Sequence, residues 1–247
     1  MFTIMRLDCL HLLKNKPIMT YLLLYPPLLI WVTGFVFNSI FGDDVLTSYD
    51  YYGVTMMIYL SMATVVILPD MLFGSRVKNA NNRIIYTPIA RTKVYLSKLL
   101  VATGFSYGIL AAYMLLFNAI RFVNFGGSQI LPLLLLDLAF VIFAITFGGA
   151  FCVILRNEDL STNLLNLVIN VFAIVSGLFF PMKIFGKKIA AIADMSPIAK
   201  VSDVFFAIIY DHNFQESITT FAILVAGSCV FLIIIHMPVS YTHLTLP

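Results

Sequence analysis

Charge is what this chain has least of. Only 11% of its 247 residues are Asp, Glu, Lys or Arg, against about 25% in an average soluble domain. A soluble core of this length needs a polar coat, and a mean hydropathy of +0.97 leaves too little polar surface to make one. Cysteine is sparse as well. Cys9, Cys152 and Cys229 share no short spacing, which excludes a CxxC metal or redox motif and supplies no disulfide framework. His11, His212, His236 and His243 form no ligand cluster, so no metal is expected. No GxxxxGK[ST] phosphate loop occurs, so the chain cannot hydrolyse ATP by that route. The net charge of +3 lies between apolar runs rather than along one face, which argues against nucleic acid as a partner. No small-residue cleavage site follows the first apolar run, and no cleavable signal peptide is expected.

What is abundant is apolar length. A bilayer core about 30 Å thick needs about 20 mostly apolar residues in a helix, because each residue rises about 1.5 Å. Six runs meet this: Met19 to Phe37, Val54 to Phe73, Leu99 to Ile120, Leu131 to Leu155, Leu164 to Met182 and Ile218 to Met237. The expected fold is all-α and integral to the membrane, with six transmembrane helices.

Orientation follows from basic residues, which accumulate on cytoplasmic flanks. With the N-terminus inside, the inner side holds Arg6, Lys14, Lys16, Arg76, Lys78, Arg83, Arg91, Lys93, Lys98 and Arg156. The outer side holds half as many: Arg121, Lys183, Lys187, Lys188 and Lys200. The first outer loop carries Asp43, Asp44 and Asp50 and no base. The reading is a multi-pass protein of the cell membrane with both termini cytoplasmic. Ahead of the first span, Phe2 to Lys16 mixes apolar and charged residues in a pattern compatible with an amphipathic helix lying in the inner interface.

The inner loop from Gly74 to Leu100 has too many charges to span. Thr87 is a candidate helix cap and Pro88 suits a first helical position, where its missing N–H costs nothing. A short basic helix held at the interface is available to a partner. Here the residues carry a resemblance. Tyr86-Thr87-Pro88-Ile89-Ala90-Arg91, followed by Lys98 at the foot of the next span, resembles the coupling segment of type 2 ABC exporter permeases. Ser176-Gly177-Leu178-Phe179-Phe180-Pro181, then Met195-Ser196-Pro197-Ile198 and Val201 to Tyr210, resembles the outer helical hairpin of the same family between spans five and six. The likeness runs over nearly the whole chain in the same order. That family moves drugs, peptides, lipids or polysaccharide out of bacterial cells.

The resemblance implies a dimeric permease, built from two copies or from this chain and a paralogue, that rests on a separate cytoplasmic ABC ATPase. ATP and magnesium would then sit on that partner, with no cofactor on this chain. Tyr86, Thr87, Pro88, Arg91 and Lys98 would carry the coupling, and Phe180, Pro181, Ser196 and Pro197 the outer hairpin. Two other classes remain as alternatives: a secondary transporter, and a membrane-embedded enzyme acting on lipid-linked substrates. The first needs paired broken helices and the second a cluster of reactive groups at one depth; neither pattern is evident.

Polar residues within the spans are costly in lipid. Asn163, Asn166 and Asn170 fall on one face of the fifth span. That face either makes interhelical hydrogen bonds or lines a path. Asp137, inside the fourth span, needs a partner, with Arg121 a candidate, or else serves substrate or proton. Gly104-x-x-x-Gly108 in the third span matches small-residue helix packing. The final stretch, Val239 to Pro247, reads VSYTHLTLP, which matches residue for residue a translation of a transposase mosaic-end sequencing adapter. We expect a single permease domain over 1–238 and a non-native tail over 239–247.

Overall fold

A computed structural model of the chain describes residues 1–38, 47–75, 77, 81, 83, 91–180, 182, 186, 188, 193, 196–211 and 215–241. Of the residues singled out in the sequence, Asp43, Asp44, Arg76, Lys78, Tyr86, Thr87, Pro88, Ile89, Ala90, Pro181, Lys183, Lys187, Met195 and His212 lie outside these, as do residues 242–247 of the tail. The described residues contain helices and no strand.

Helix α1 (Phe2–Lys14) ends at Asn15, whose extended backbone breaks it from α2 (Lys16–Val36). Pro17 sits in the first turn of α2, where a proline is tolerated. Helix α3 (Ser48–Ala63) starts at Thr47, whose hydroxyl accepts the backbone N–H of Asp50 at 3.1 Å. A 3-10 turn, Thr64–Val66, joins α3 to α4 (Ile67–Phe73), so the second crossing changes helical pitch partway. Then follow α5 (Arg91–Ala119), α6 (Ile130–Leu155), α7 (Glu158–Val175), α8 (Pro197–Phe206) with a π-turn at Ala207–Asp211, and α9 (Gln215–Tyr241).

Six helical stretches are long and apolar enough to cross a membrane: Lys16–Val36, Ser48–Phe73, Thr92–Ala119, Ile130–Leu155, Glu158–Val175 and Glu216–His236. The fifth is shifted toward the N-terminus relative to the apolar run expected from Leu164 to Met182. Its start is set by a cap, the Asn157 side chain accepting the Leu160 N–H at 3.1 Å. Its end is set by Gly177, whose φ of +78° turns the chain out of the helix. Arg91 and Lys93 belong to the same continuous helix as the third span.

The bundle is arranged around spans two and four. Of their most apolar windows, 83% and 61% are buried inside the protein, against 17–33% for the other four. Close approach at this centre rests on glycine. A methyl group at Gly148 of α6 would collide with Val65 in the 3-10 turn, and one at Gly53 of α3 with Val123. By contrast, Gly104 and Gly108 of α5 have no neighbour within 4 Å of a built Cβ. That small-residue pair therefore packs against nothing among the described residues of its own chain.

Candidate functional site

Helices α2, α3–α4 and α7 flank a cleft of about 650 Å³. Its mouth lies where α2 begins, α4 ends and α7 begins, and is lined by Asn15, Asp70, Ser75 and Glu158. Deeper in, the walls are Tyr21, Tyr25 and Tyr59, with Thr162 and Asn166 from α7. Past the cleft the bundle is closed by rings. Tyr59 packs on Phe179 at 5.1 Å, Phe37 on Tyr52 at 5.2 Å, and Tyr51 stacks on Phe206 at 5.6 Å.

The asparagine row reaches this cleft at Asn166. Asn163, Asn166 and Asn170 are all exposed, while Leu165, Ile169 and Ala173 bury another face of α7. Tyr59 donates its hydroxyl to Asn170 Oδ1 at 3.1 Å, and Asn170 Nδ2 donates to the Asn166 carbonyl at 2.8 Å. Asn166 itself lines the cleft. One member thus makes an interhelical hydrogen bond and its neighbour borders open space.

Asp137 sits elsewhere. It is fully buried in α6 and accepts a hydrogen bond from Ser61 Oγ of α3 at 2.7 Å, with its other oxygen unpartnered among the described residues. Arg121, the expected partner, is exposed with a backbone φ of +55° and forms no ion pair with it among the described residues. Ser61 carried no signal in the sequence, because one serine in an apolar run is unremarkable until its neighbour is known.

Lys98 is also inside the protein. Only 2% of it is exposed, and its Nζ donates to Asp8 Oδ1 at 2.8 Å. This ties α1 to the foot of the third span. A second tie joins α1 to the second span: Asn15 Nδ2 donates to Asp70 Oδ2 at 3.0 Å, and His11 Nε2 lies 3.3 Å from the same oxygen. The sequence held a clue to the first pair, since Asp8 is the one acidic residue in an otherwise basic N-terminal stretch. Arg91 opens α5.

At the opposite end, the segment after α7 is stitched back to the core. Tyr51 donates to the Gly177 carbonyl at 3.0 Å and Tyr52 to the Phe179 carbonyl at 3.2 Å. Ser176 and Ser196 share a hydrogen bond at 2.6 Å, which brings the start of α8 against the end of α7. Pro197 takes the first turn of α8, and Phe180 meets Phe37 edge to face at 5.4 Å. Tyr210, in the π-turn, has no hydroxyl partner among the described residues; burial, and then the charge of Asp50, push its pKa up to about 12. It stays protonated at any physiological pH.

Among the described residues no group of three or more His, Cys, Asp or Glu is placed to hold a metal ion. The arrangement offers a cleft lined by polar and aromatic side chains and two tied-down ends. Compared with known proteins, the chain matches the family model described as ABC-2 type transporter over residues 11–210. No curated protein and no solved structure matches it.

Proposed function

The chain belongs to the ABC-2 type transporter membrane family, and from that premise we propose that it is the permease half of an ATP-driven exporter, working as a dimer on a separate cytoplasmic ATP-binding subunit. The observation that carries the reading is the cleft. It has polar groups from the second and fifth spans and their flanks at one end and packed aromatic rings toward the other, which suits a path loaded from one side.

Coupling is assigned to the stretch Tyr86, Thr87, Pro88 and Arg91, with Lys98 acting one step further in. A push on the loop reaches α5, and the buried pair of Lys98 with Asp8 carries it to α1. Helix α1 in turn holds Asp70 at the cleft mouth through His11 and Asn15. The mechanism is a change of shape in a packed bundle, driven by the partner's preference for one arrangement. Asn163, Asn166 and Asn170 belong to the path on this reading, and Asp137 to the packed centre.

The test is copurification followed by transport. Solubilised from its native membrane, the chain brings down an ATP-binding subunit. Replacing Thr87 and Arg91 together by alanine abolishes export and leaves the amount of permease unchanged. Recovery of the chain without any ATPase, with export intact in the double variant, would sink the proposal.

A further inference from the structure

The cleft also has a sign. Among the described residues, its charged lining residues are Asp70 and Glu158, with no lysine or arginine beside them. The carboxylates come from different helices, α4 and α7, and line one cleft only because the bundle places them there. Asp70 is held by two hydrogen-bonding contacts, from Asn15 and His11. Glu158 has no hydrogen bond or ion pair among the described residues, and the charges that act on it, Asp70 and then Asp159, are both negative. Lys14, Lys16 and Arg156 are near in sequence, but their side chains are exposed and pair with neither carboxylate among the described residues.

Two carboxylates sharing a partly buried site repel, and the repulsion is relieved by a positive charge placed between them. The wall behind them is aromatic. Tyr21 and Tyr25 stack at 5.0 Å and 25°, and Tyr59 faces the same space. Tyrosine faces attract cations and also bury apolar surface. A volume of about 650 Å³ suits a ligand of drug size. A water-filled entrance with no charge preference would need neither the two carboxylates nor the row of rings.

We infer that this cleft selects amphipathic organic cations, with Asp70 and Glu158 taking the charge at the mouth and Tyr21, Tyr25 and Tyr59 taking the apolar body. The inference rests on the cleft being part of the transport path and names the substrate class that path accepts. Glu158 is the specificity residue, because its charge has no partner among the described residues. Asp70 has two roles, charge at the mouth and anchor for α1.

The experiment uses the full chain in nanodiscs and two ions of the same shape and opposite charge. Tetraphenylphosphonium and tetraphenylborate are titrated separately by calorimetry, with empty nanodiscs subtracted. Saturable binding is expected for the phosphonium ion and none for the borate. Glu158→Gln weakens phosphonium binding at least threefold, and Asp70→Asn with Glu158→Gln at least tenfold. Tyr25→Leu, which alters no charge, weakens it severalfold. Asp159→Asn, on the exposed side of the same turn, changes it less than twofold. Equal binding of both ions, or full affinity in Glu158→Gln, would overturn the inference. If the Asp70 variant fails to fold because α1 is released, Glu158→Gln and Tyr25→Leu still decide the matter. Binding requires neither ATP nor a partner subunit. Charge-selective binding without a copurifying ATPase would therefore spare this inference and remove the exporter, and the converse result would do the opposite.

Discussion

Spans two and four treat a polar side chain differently from span five. At the centre, Asp137 is fully buried and its contact is a single serine brought from another helix. Along α7, Asn163, Asn166 and Asn170 are exposed, and only Asn170 is engaged by another helix, through Tyr59. A polar group inside a packed bundle is satisfied by its own chain, because the alternative is an unpaired group in hydrocarbon. A polar row left open at the edge of the same bundle must find water or another molecule. The centre is thus built to hold, and the edge to be occupied.

Substitutions at the centre and at the edge test that contrast. The largest effect is expected at the tie between α1 and α5. Lys98→Met leaves Asp8 buried and charged without its partner, and removing one member of a buried pair costs about 3–5 kcal/mol. Thermal unfolding in detergent should show it, and Asp8→Leu combined with Lys98→Met should recover most of the loss. Next is Gly148→Val, which forces added carbons against Val65 and costs about 1–3 kcal/mol by overpacking. Gly104→Ala is its control and should be neutral, since nothing lies within 4 Å of the added atom. A large loss in the control would mean that the outer surface of α5 is packed against something else.

Smaller still is Ser61→Ala, which removes the partner of Asp137; interhelical hydrogen bonds in membranes average about 0.6 kcal/mol and reach about 1.7. The smallest change in stability, within about 0.5 kcal/mol, is expected for Asn163→Leu and Asn166→Leu. Their cost should appear in export instead. If these two destabilise the protein as much as Ser61→Ala does, the edge is packed like the centre and the contrast collapses.

Most of the architecture was legible because hydropathy acts on each helix by itself. The six apolar runs, the amphipathic stretch ahead of the first, and the basic loop after the second can all be read without knowing any neighbour. Span five was misplaced for a reason equally local. The apolar run continues past Val175, but Asn157 and Gly177 set the ends of the helix, and caps outrank hydropathy at a terminus. The cleft was only half legible. The asparagine face follows from helical spacing, whereas Asp70 and Glu158 stand far apart in sequence and nothing in either flank announces the other. Lys98 read as a coupling base at the foot of the third span, and its tie to Asp8 went unseen because the two lie 90 positions apart.

The sequence alone determined that this chain lives in lipid, how many times it crosses, and that its basic loop follows the second crossing. Those properties are sums over short windows of residues. Only the tertiary structure decided which polar groups are tied and which are free: Lys98 by Asp8, Asp137 by Ser61, Asp70 by Asn15, and Glu158 by none of the described residues. The reason is physical. Transfer into a membrane is priced one helix at a time, but the partner of a buried polar atom is whatever the packed bundle sets opposite it.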